Sequence, residues 1–406
     1  MDALITAAGR ALAAGDPLGA LNWVSLRSDA PALALRGIAM AQLGDLDLAK
    51  ALLRRAVRSF GPREHGARAR CVIAEAEIAL VSRDLGWPGK ALERARETLE
   101  RAGDRTNAAY ARYLSARRLL LIGRLEQADR ELGALDSALL PLQARAGYEM
   151  VVAGIAMRRV EARKAKSALE RAAEAASRAG IPSLVSEVDA ARQALLAPAA
   201  RLIADGREEP LLLEQVETLF GSDAFVVDAC RHVVRSAGKT IPLETRPVLF
   251  ALVRALAEAW PRDLSRAELV ARAFRGKDAD ESHRARLRVE IGRLRALLRT
   301  HAGLRATKGG FVLVAPAGRQ VVVLAQPVED AHADVLALLA DGEAWSSAAL
   351  ALALGVSSRT VQRALERLKA EGKVRSFGRG RACRWIAPTL PGFPTSLLLP
   401  TRLPSG

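Results

Sequence analysis

The sequence predicts a mostly α-helical chain in which an α-solenoid is followed by two small α+β domains. Residues 30–200 are rich in Ala, Leu and Arg with helical periodicity, and similar patterns recur about every 40 residues, which is typical of stacked helical hairpins. Residues 283–308 and 359–384 each carry a net charge of +7, whereas the rest of the chain together carries +2. Both basic segments have the pattern of a helix followed by a Gly-bearing hairpin, so we expect two separate anion-binding domains.

The composition indicates a globular protein with more than one hydrophobic core. The chain has 406 residues, of which 50% are hydrophobic and 26% charged, and single cores stop growing well below this length. It contains no apolar run of membrane-spanning length, and residues 1–12 lack the basic start of a signal peptide. We therefore expect a cytoplasmic, nucleoid-associated protein with no membrane partner.

The residue types that carry catalysis or bind metals are scattered. The three cysteines lie more than 150 positions apart, and the five histidines show no metal-ligand spacing. Lys239 and Thr240 resemble the end of a phosphate-binding loop, but Val233 stands where that loop requires a glycine, and a β-hairpin is predicted there instead. We expect no catalytic role, no metal and no cofactor.

The predicted boundaries divide the chain into five parts. These are a helical-repeat domain (1–200), a linker helix (201–223), a first basic domain (224–316), a second basic domain (317–387) and a tail (388–406). The tail holds five prolines in nineteen residues, so we expect it to be extended or disordered.

The clearest repeat unit alternates small and large residues. Its characteristic positions are Leu33, Gly37, Met40, Gly44, Ala49, Leu53 and Ala56. Small residues are needed where the two helices of a hairpin cross closely, and larger ones fill the gap to the next hairpin. Further units are anchored at Ala91, at Ala128 with Ala116 and Gly123, and at Ala165 with Ala172. Residues 30–200 thus resemble tetratricopeptide repeats, which implies a surface for a protein or peptide partner; an irregular α-helical bundle is the alternative.

The first basic segment contains a helix predicted from about Ser282 to Arg299. One face is apolar, and the opposite face carries small residues flanked by arginines, so the helix backbone could enter a DNA groove while the arginines reach phosphates or guanine edges. Val289 could contact a thymine methyl, and a merely solvated helix is the alternative. The buried positions would be Leu287, Ile291, Leu294 and Leu298, and the small ones Ala285, Val289, Gly292 and Ala296. The candidate DNA contacts are Arg284, Arg286, Arg288, Val289, Arg293, Arg295, Arg299 and, in the following hairpin, Lys308.

Residues 225–313 resemble the winged helix of OmpR/PhoB-type response regulators. The resemblance rests on a leading hairpin, three helices with a capping box from Ser265 to Glu268, the sequence Ile-Gly-Arg-Leu-Arg at 291–295, and a closing hairpin at 304–313. That family ends its wing with Arg-Gly-x-Gly-Tyr, where this chain has Lys-Gly-Gly-Phe at 308–311. The resemblance implies major-groove binding by the third helix. No receiver domain is recognisable upstream, so phosphorelay control is not implied.

The second basic segment has the residue order of a helix-turn-helix. Gly355 occupies the turn, Val356 is predicted to be an apolar plug, and Ser357 caps the next helix, whose Val361, Leu365 and Leu368 face the core. About 60 residues, ending in a Gly-bearing hairpin, resemble the winged helix-turn-helix of bacterial repressors. A protein-interaction module is the alternative. The candidate DNA contacts are Ser357, Ser358, Arg359, Thr360, Gln362, Arg363, Arg367, Arg375, Arg379 and Arg381.

These patterns together predict a bacterial-type transcriptional regulator that binds double-stranded DNA through two tandem winged helices. We expect a protein or peptide partner on the helical repeats, and homodimerisation is left open. The second basic domain should contribute more sequence discrimination, and the first more shape and phosphate contact. Two alternatives remain: an architectural, chromosome-organising or replication-initiation protein, and a protein-interaction scaffold.

Overall fold

The computed structural model describes residues 2–274, 281–315, 318–327, 332–339, 344–378, 380 and 383–387, so the predicted tail lies outside the described residues. The chain forms two compact units. Unit 1 contains the described residues of 2–159, 164–193 and 332–387, and unit 2 contains those of 160–163 and 194–331. Unit 2 is therefore inserted into the chain of unit 1.

The chain begins with eleven described α-helices. They are α1 (Ala3–Ala13), α2 (Pro17–Val24), α3 (Ala30–Gln42), α4 (Leu46–Ser59), α5 (His65–Val81), α6 (Gly89–Arg101), α7 (Arg105–Leu121), α8 (Leu125–Gly133), α9 (Leu142–Arg159), α10 (Ala162–Ala179) and α11 (Pro182–Leu196), with a single 3₁₀ turn, Ser137–Leu139, before α9. Aspartates that accept backbone N–H bonds begin many of these helices, as Asp45 does for α4 and Asp104 for α7.

The early helices pack as hairpins, because each contacts the next from α1 through α9 and the odd-numbered helices also contact one another. Gly37 lies where α3 crosses α4, and a Cβ there would be 2.9 Å from Cγ of Leu53. Ala49, Leu53 and Ala56 are fully buried, so α4 packs closely at these positions. Ala91 is only partly buried, since α6 turns Leu92 and Ala95 inward instead.

Unit 2 adds nine strands and four helices within the described residues. They are β1 (Ala200–Ala204), β2 (Arg207–Leu211), α12 (Leu213–Phe220), β3 (Phe225–Asp228), β4 (Val233–Ser236), β5 (Lys239–Pro242), α13 (Pro247–Ala259), β6 (Leu264–Ser265), α14 (Arg266–Phe274), α15 (Glu281–Leu298), β7 (Gly303–Ala306), β8 (Gly310–Val314) and β9 (Val321–Ala325).

Two sheets organise unit 2. One has six strands in the order β2-β1-β9-β3-β4-β5, with β9 antiparallel to β1 and parallel to β3. The other has three strands in the order β6-β8-β7. A single apolar core joins strands of both sheets to α13, α14 and α15, so α15 has a rigid support along its length.

The predicted linker helix over residues 201–223 is wrong, because most of that segment is a β-hairpin followed by the short α12. Asp205 and Gly206 form the turn with φ values of 50° and 73°. This Asp-Gly pair suits a tight hairpin turn, which requires positive φ at both central residues. Strand β9 also falls in unit 2, although the predicted boundary at residue 317 assigned it to the second basic domain.

The described chain returns to unit 1 after β9 with α16 (Ala333–Leu339), α17 (Ser347–Leu354), α18 (Ser358–Ala370), β10 (Arg375–Phe377) and β11 (Arg384–Ile386). Strands β10 and β11 pair antiparallel as the predicted closing hairpin. The backbones of Trp345 and Trp385 bond to each other in both directions at 2.8 Å, which ties the start of α17 to this hairpin.

Candidate nucleic-acid interface

Helix α15 has one buried and one exposed face, as its periodicity predicts. Leu287, Ile291, Leu294 and Leu298 are each at most 2% exposed and belong to the core of unit 2. On the opposite face Ala285, Val289, Gly292 and Ala296 are exposed. Val289 is 53% exposed, and the small side chains beside it leave the backbone of α15 accessible to an approaching surface.

The arginines along α15 divide into two groups. Arg295 donates from Nε to the carbonyl oxygen of Leu304 at 3.1 Å, and Arg286 lies 4.8 Å from the ring centre of Phe274. Arg293 pairs with Glu290 at 2.9 Å while remaining largely exposed. These contacts stiffen the helix and its junction with β7. Arg284, Arg288 and Arg299 are exposed, which leaves their charges accessible to an anionic ligand.

The hairpin after α15 holds Lys308 at an exposed turn. The amide of Thr307 donates to the carbonyl oxygen of Gly310 at 3.0 Å, which closes a turn around Lys308 and Gly309. Arg266, at the start of α14, lies over Phe311 at 5.4 Å from the ring centre. Arg266 was not among the predicted contacts because it lies some 40 positions from the hairpin in sequence.

A groove beside α15 contains a second residue that sequence reasoning missed. It is lined by Arg246 and Val248 at the start of α13 and by Arg293, Ala296 and Glu290 of α15. Arg246 is exposed, so a cation from α13 flanks the same helix face as Arg293. No local pattern links the two residues, since they belong to different helices.

In unit 1, α17 and α18 are joined by a short turn of the kind predicted. Gly355 ends α17 with φ of 66°, a left-handed conformation that glycine adopts without strain. The Ser357 side chain then accepts the N–H of Thr360 at 3.2 Å and caps α18. Val356 was expected to plug the turn, but it is 44% exposed. The core beneath is already filled by other residues of α17 and α18, such as Leu350 and Leu365.

The two faces of α18 differ as sharply as those of α15. Val361, Leu365 and Leu368 are at most 1% exposed. The predicted contact residues that are exposed on this helix are Ser358, Arg359, Thr360, Gln362, Arg363 and Arg367. Ser357 and Thr360 share a hydroxyl contact of 2.8 Å, which orders the first turn of the helix.

The hairpin that follows α18 adds further charge. Arg375 on β10 is exposed, whereas Arg379 and Arg381 lie outside the described residues. Lys369 donates to Oγ of Ser376 at 2.8 Å and lies 5.8 Å from the ring centre of Trp385. Lys369 therefore braces the hairpin against α18, a role that the sequence pattern did not reveal.

Within the described residues, no group of three or more His, Cys, Asp or Glu side chains could hold a metal ion. In the same part of the chain, no helix is long and apolar enough to cross a membrane.

The comparisons with known proteins give one result for this chain. Residues 332–378 match the family described as HTH domain, a segment that contains α16, α17, α18 and β10. No curated protein and no solved structure matches the chain. The segment 332–378 is therefore a helix-turn-helix DNA-binding domain.

Proposed function

We propose that the protein is a DNA-binding transcriptional regulator in which α18 enters the major groove of double-stranded DNA. The observation that carries this proposal is the exposed face of α18 within a helix-turn-helix domain. An α-helix fits the major groove, and its N-terminal residues contact base edges in proteins of this kind.

The side chains at the start of α18 suit base and phosphate recognition. Arg359 and Arg363 are four positions apart and so share one side of the helix, where guanidinium groups can reach guanine edges or phosphates. Thr360 and Gln362 can hydrogen-bond base edges beside them. The N-terminus of α18, which Ser357 caps, carries the positive end of the helix dipole and so favours a phosphate nearby.

A second DNA surface in unit 2 forms part of the proposal. The leading strands, the three helices α13 to α15 and the β7–β8 hairpin follow the element order of an OmpR/PhoB-type winged helix. The exposed small-residue strip and arginines of α15 support groove and phosphate contact there. Two linked DNA-binding surfaces would increase affinity through effective concentration.

The helical hairpins of unit 1 complete the proposed architecture. We assign α1 to α11 to a tetratricopeptide-like module that senses or docks a protein or peptide, by analogy with the surfaces that stacked hairpins present. The protein has no catalytic role in this proposal.

The test compares two double variants by fluorescence anisotropy with duplex DNA. Arg359→Ala with Arg363→Ala, and Arg288→Ala with Arg293→Ala, should each weaken binding. If both arginines of a pair contact phosphates, the salt slope of log affinity should become shallower by about 1.8. A matched control is Arg55→Ala with Arg58→Ala, which removes the same charge from the exposed side of α4.

Two outcomes would refute the assignment: neither pair weakens binding, or the control pair weakens it equally. Genome-wide mapping of bound DNA then separates regulation from architecture. Discrete sites near promoters are expected for a regulator, whereas even coverage or binding to iterated repeats would favour the architectural or replication role.

A further inference from the structure

The helix-turn-helix domain shares its hydrophobic core with the helical hairpins of unit 1. One continuous cluster of buried residues includes Leu85, Tyr110 and Ile155 from the hairpins together with Trp345 and Leu365 from the C-terminal segment. In sequence, Ile155 and Trp345 are 190 positions apart. The domain is therefore built onto the helical array rather than attached to it by a free linker.

Arg83, in the turn between α5 and α6, contacts the C-terminal segment through its side chain. Its guanidinium carbon lies 5.6 Å from the ring centre of Trp345, and its Nη1 donates to the carbonyl oxygen of Leu80 at 2.9 Å. Arg83 is only 7% exposed and Trp345 only 1%. A desolvated guanidinium over an indole is a strong form of the cation–π contact.

Arg83 has the left-handed backbone that ends an α-helix, at the same position after α5 as Gly44 after α3 and Gly103 after α6. Its φ is 49°, a left-handed conformation that non-glycine residues rarely adopt unless their surroundings hold them there. A second turn reaches the same domain, because a Cβ at Gly123, between α7 and α8, would lie 3.9 Å from the carbonyl oxygen of Ala353. Two turns between helices of the array therefore contact the helix-turn-helix domain, one at Trp345 and the other at Ala353 near the end of α17.

Packing of the helix-turn-helix domain against the hairpins leaves the proposed DNA-binding face of α18 exposed to solvent. Arg359, Gln362 and Arg363 are exposed, while Trp345 is buried and bonded through its backbone to Trp385. The contact with the array and the contact with DNA therefore use different sides of the domain.

We infer that Arg83 is a positioning residue for DNA recognition: it fixes α17, and through it α18, without touching DNA. This inference rests on the proposed function of α18. Recognition residues must be held within a fraction of an ångström by packed supporting groups, and Trp345 is such a group because it joins α17 to the β10–β11 hairpin. Loosening Trp345 would let α18 move relative to its hairpin and so reduce DNA affinity.

The experiment replaces Arg83 in the full chain. Arg83→Asn is the informative variant because asparagine tolerates left-handed backbone, so the turn is kept while the cation is lost. It should weaken duplex DNA binding about tenfold and speed amide hydrogen exchange in residues 344–354. Arg83→Lys keeps a cation and should lie between wild type and Arg83→Asn in both measurements. Arg63→Asn, in the exposed turn before α5, removes the same charge as a control.

Each outcome bears on the inference. Weaker binding without faster exchange in 344–354 would overturn it, because Arg83 would then act on DNA directly. Unchanged binding and exchange would overturn it as well. If Arg83→Asn unfolds unit 1, as shown by fast exchange throughout α5 to α9, the Lys variant decides by the same two measurements. If the Arg359 and Arg363 pair proves irrelevant to DNA binding, the proposed function fails, whereas hydrogen exchange still measures the Arg83–Trp345 contact.

Discussion

Replacing Gly310 by alanine should break the edge of the β6-β8-β7 sheet. Gly310 pairs with Ser265 in the register of β6 and β8, and a Cβ at this position would lie 1.7 Å from the carbonyl oxygen of Leu264. That distance would have to grow to at least 3.0 Å. The clash is with backbone rather than with a flexible side chain, so the two strands must separate.

The expected loss of stability follows from what the separation exposes. The ladder between β6 and β8 has only two residue pairs, Leu264 with Phe311 and Ser265 with Gly310. Its hydrogen bonds contribute about 1 kcal/mol each, and partial exposure of Leu264 and Phe311 adds a similar amount, giving about 2–4 kcal/mol in all. Gly309→Ala is the matched control, since its nearest neighbour would be a side-chain oxygen of Asp263 at 3.5 Å.

Amide hydrogen exchange over residues 303–314 measures the free energy of local opening for both variants. Gly310→Ala should lower this free energy by about 2–4 kcal/mol, and Gly309→Ala should change it by less than about 0.5 kcal/mol. Because Lys308 sits on the same hairpin, only Gly310→Ala should also weaken DNA binding. Equal effects of the two substitutions on local opening would refute the close approach of β6 and β8.

Two further predictions concern unit 1. Ser357→Ala should destabilise α18 by about 1 kcal/mol, because it removes the acceptor for the Thr360 amide. Ser357→Asp should restore thermal stability but lower DNA affinity, because it places an anion beside phosphates. Unchanged DNA affinity of the Asp variant in fluorescence anisotropy would contradict this prediction. Burial raises the pKa of Cys71 to about 12, so its thiol should stay protonated and unreactive toward a thiol-specific dye at about pH 8. The partly exposed Cys230 and Cys383 should react with the dye. If peptide mass spectrometry shows that native Cys71 is labelled at the same rate as these two cysteines, the core around α5 opens readily.

Local periodicity was sufficient to predict the faces of the two basic helices. In α15 and α18 the apolar residues recur at helical spacing, so the buried and exposed sides follow from the sequence alone. The capping box of Ser265 and Glu268 is also present as predicted, with the Glu268 amide donating to Oγ of Ser265 at 3.2 Å and the Ser265 amide donating to Glu268 at 3.0 Å.

Periodicity does not predict which strands or side chains pair across long distances in the sequence. The apolar run of β9 is typical of a strand buried on both faces, but nothing in it specifies insertion between β1 and β3. The Asp205-Gly206 turn was a local signal that the helical interpretation of 201–223 overlooked. The contact between Arg83 and Trp345 joins residues 262 positions apart, and hydrophobic periodicity carries no signal for it.

The shared core of unit 1 has a consequence for biosynthesis. A ribosome delivers α5 to α9 long before Trp345, which lies roughly 260 positions after Arg83, and all of unit 2 is made in between. Domains tend to fold in order of emergence from the ribosome. The nascent helical hairpins should therefore expose the apolar surface that later packs against Trp345, α17 and α18 until the C-terminal segment has been synthesised. Chaperone binding to ribosome-bound chains should therefore persist after unit 2 has folded and end only when α17 and α18 emerge.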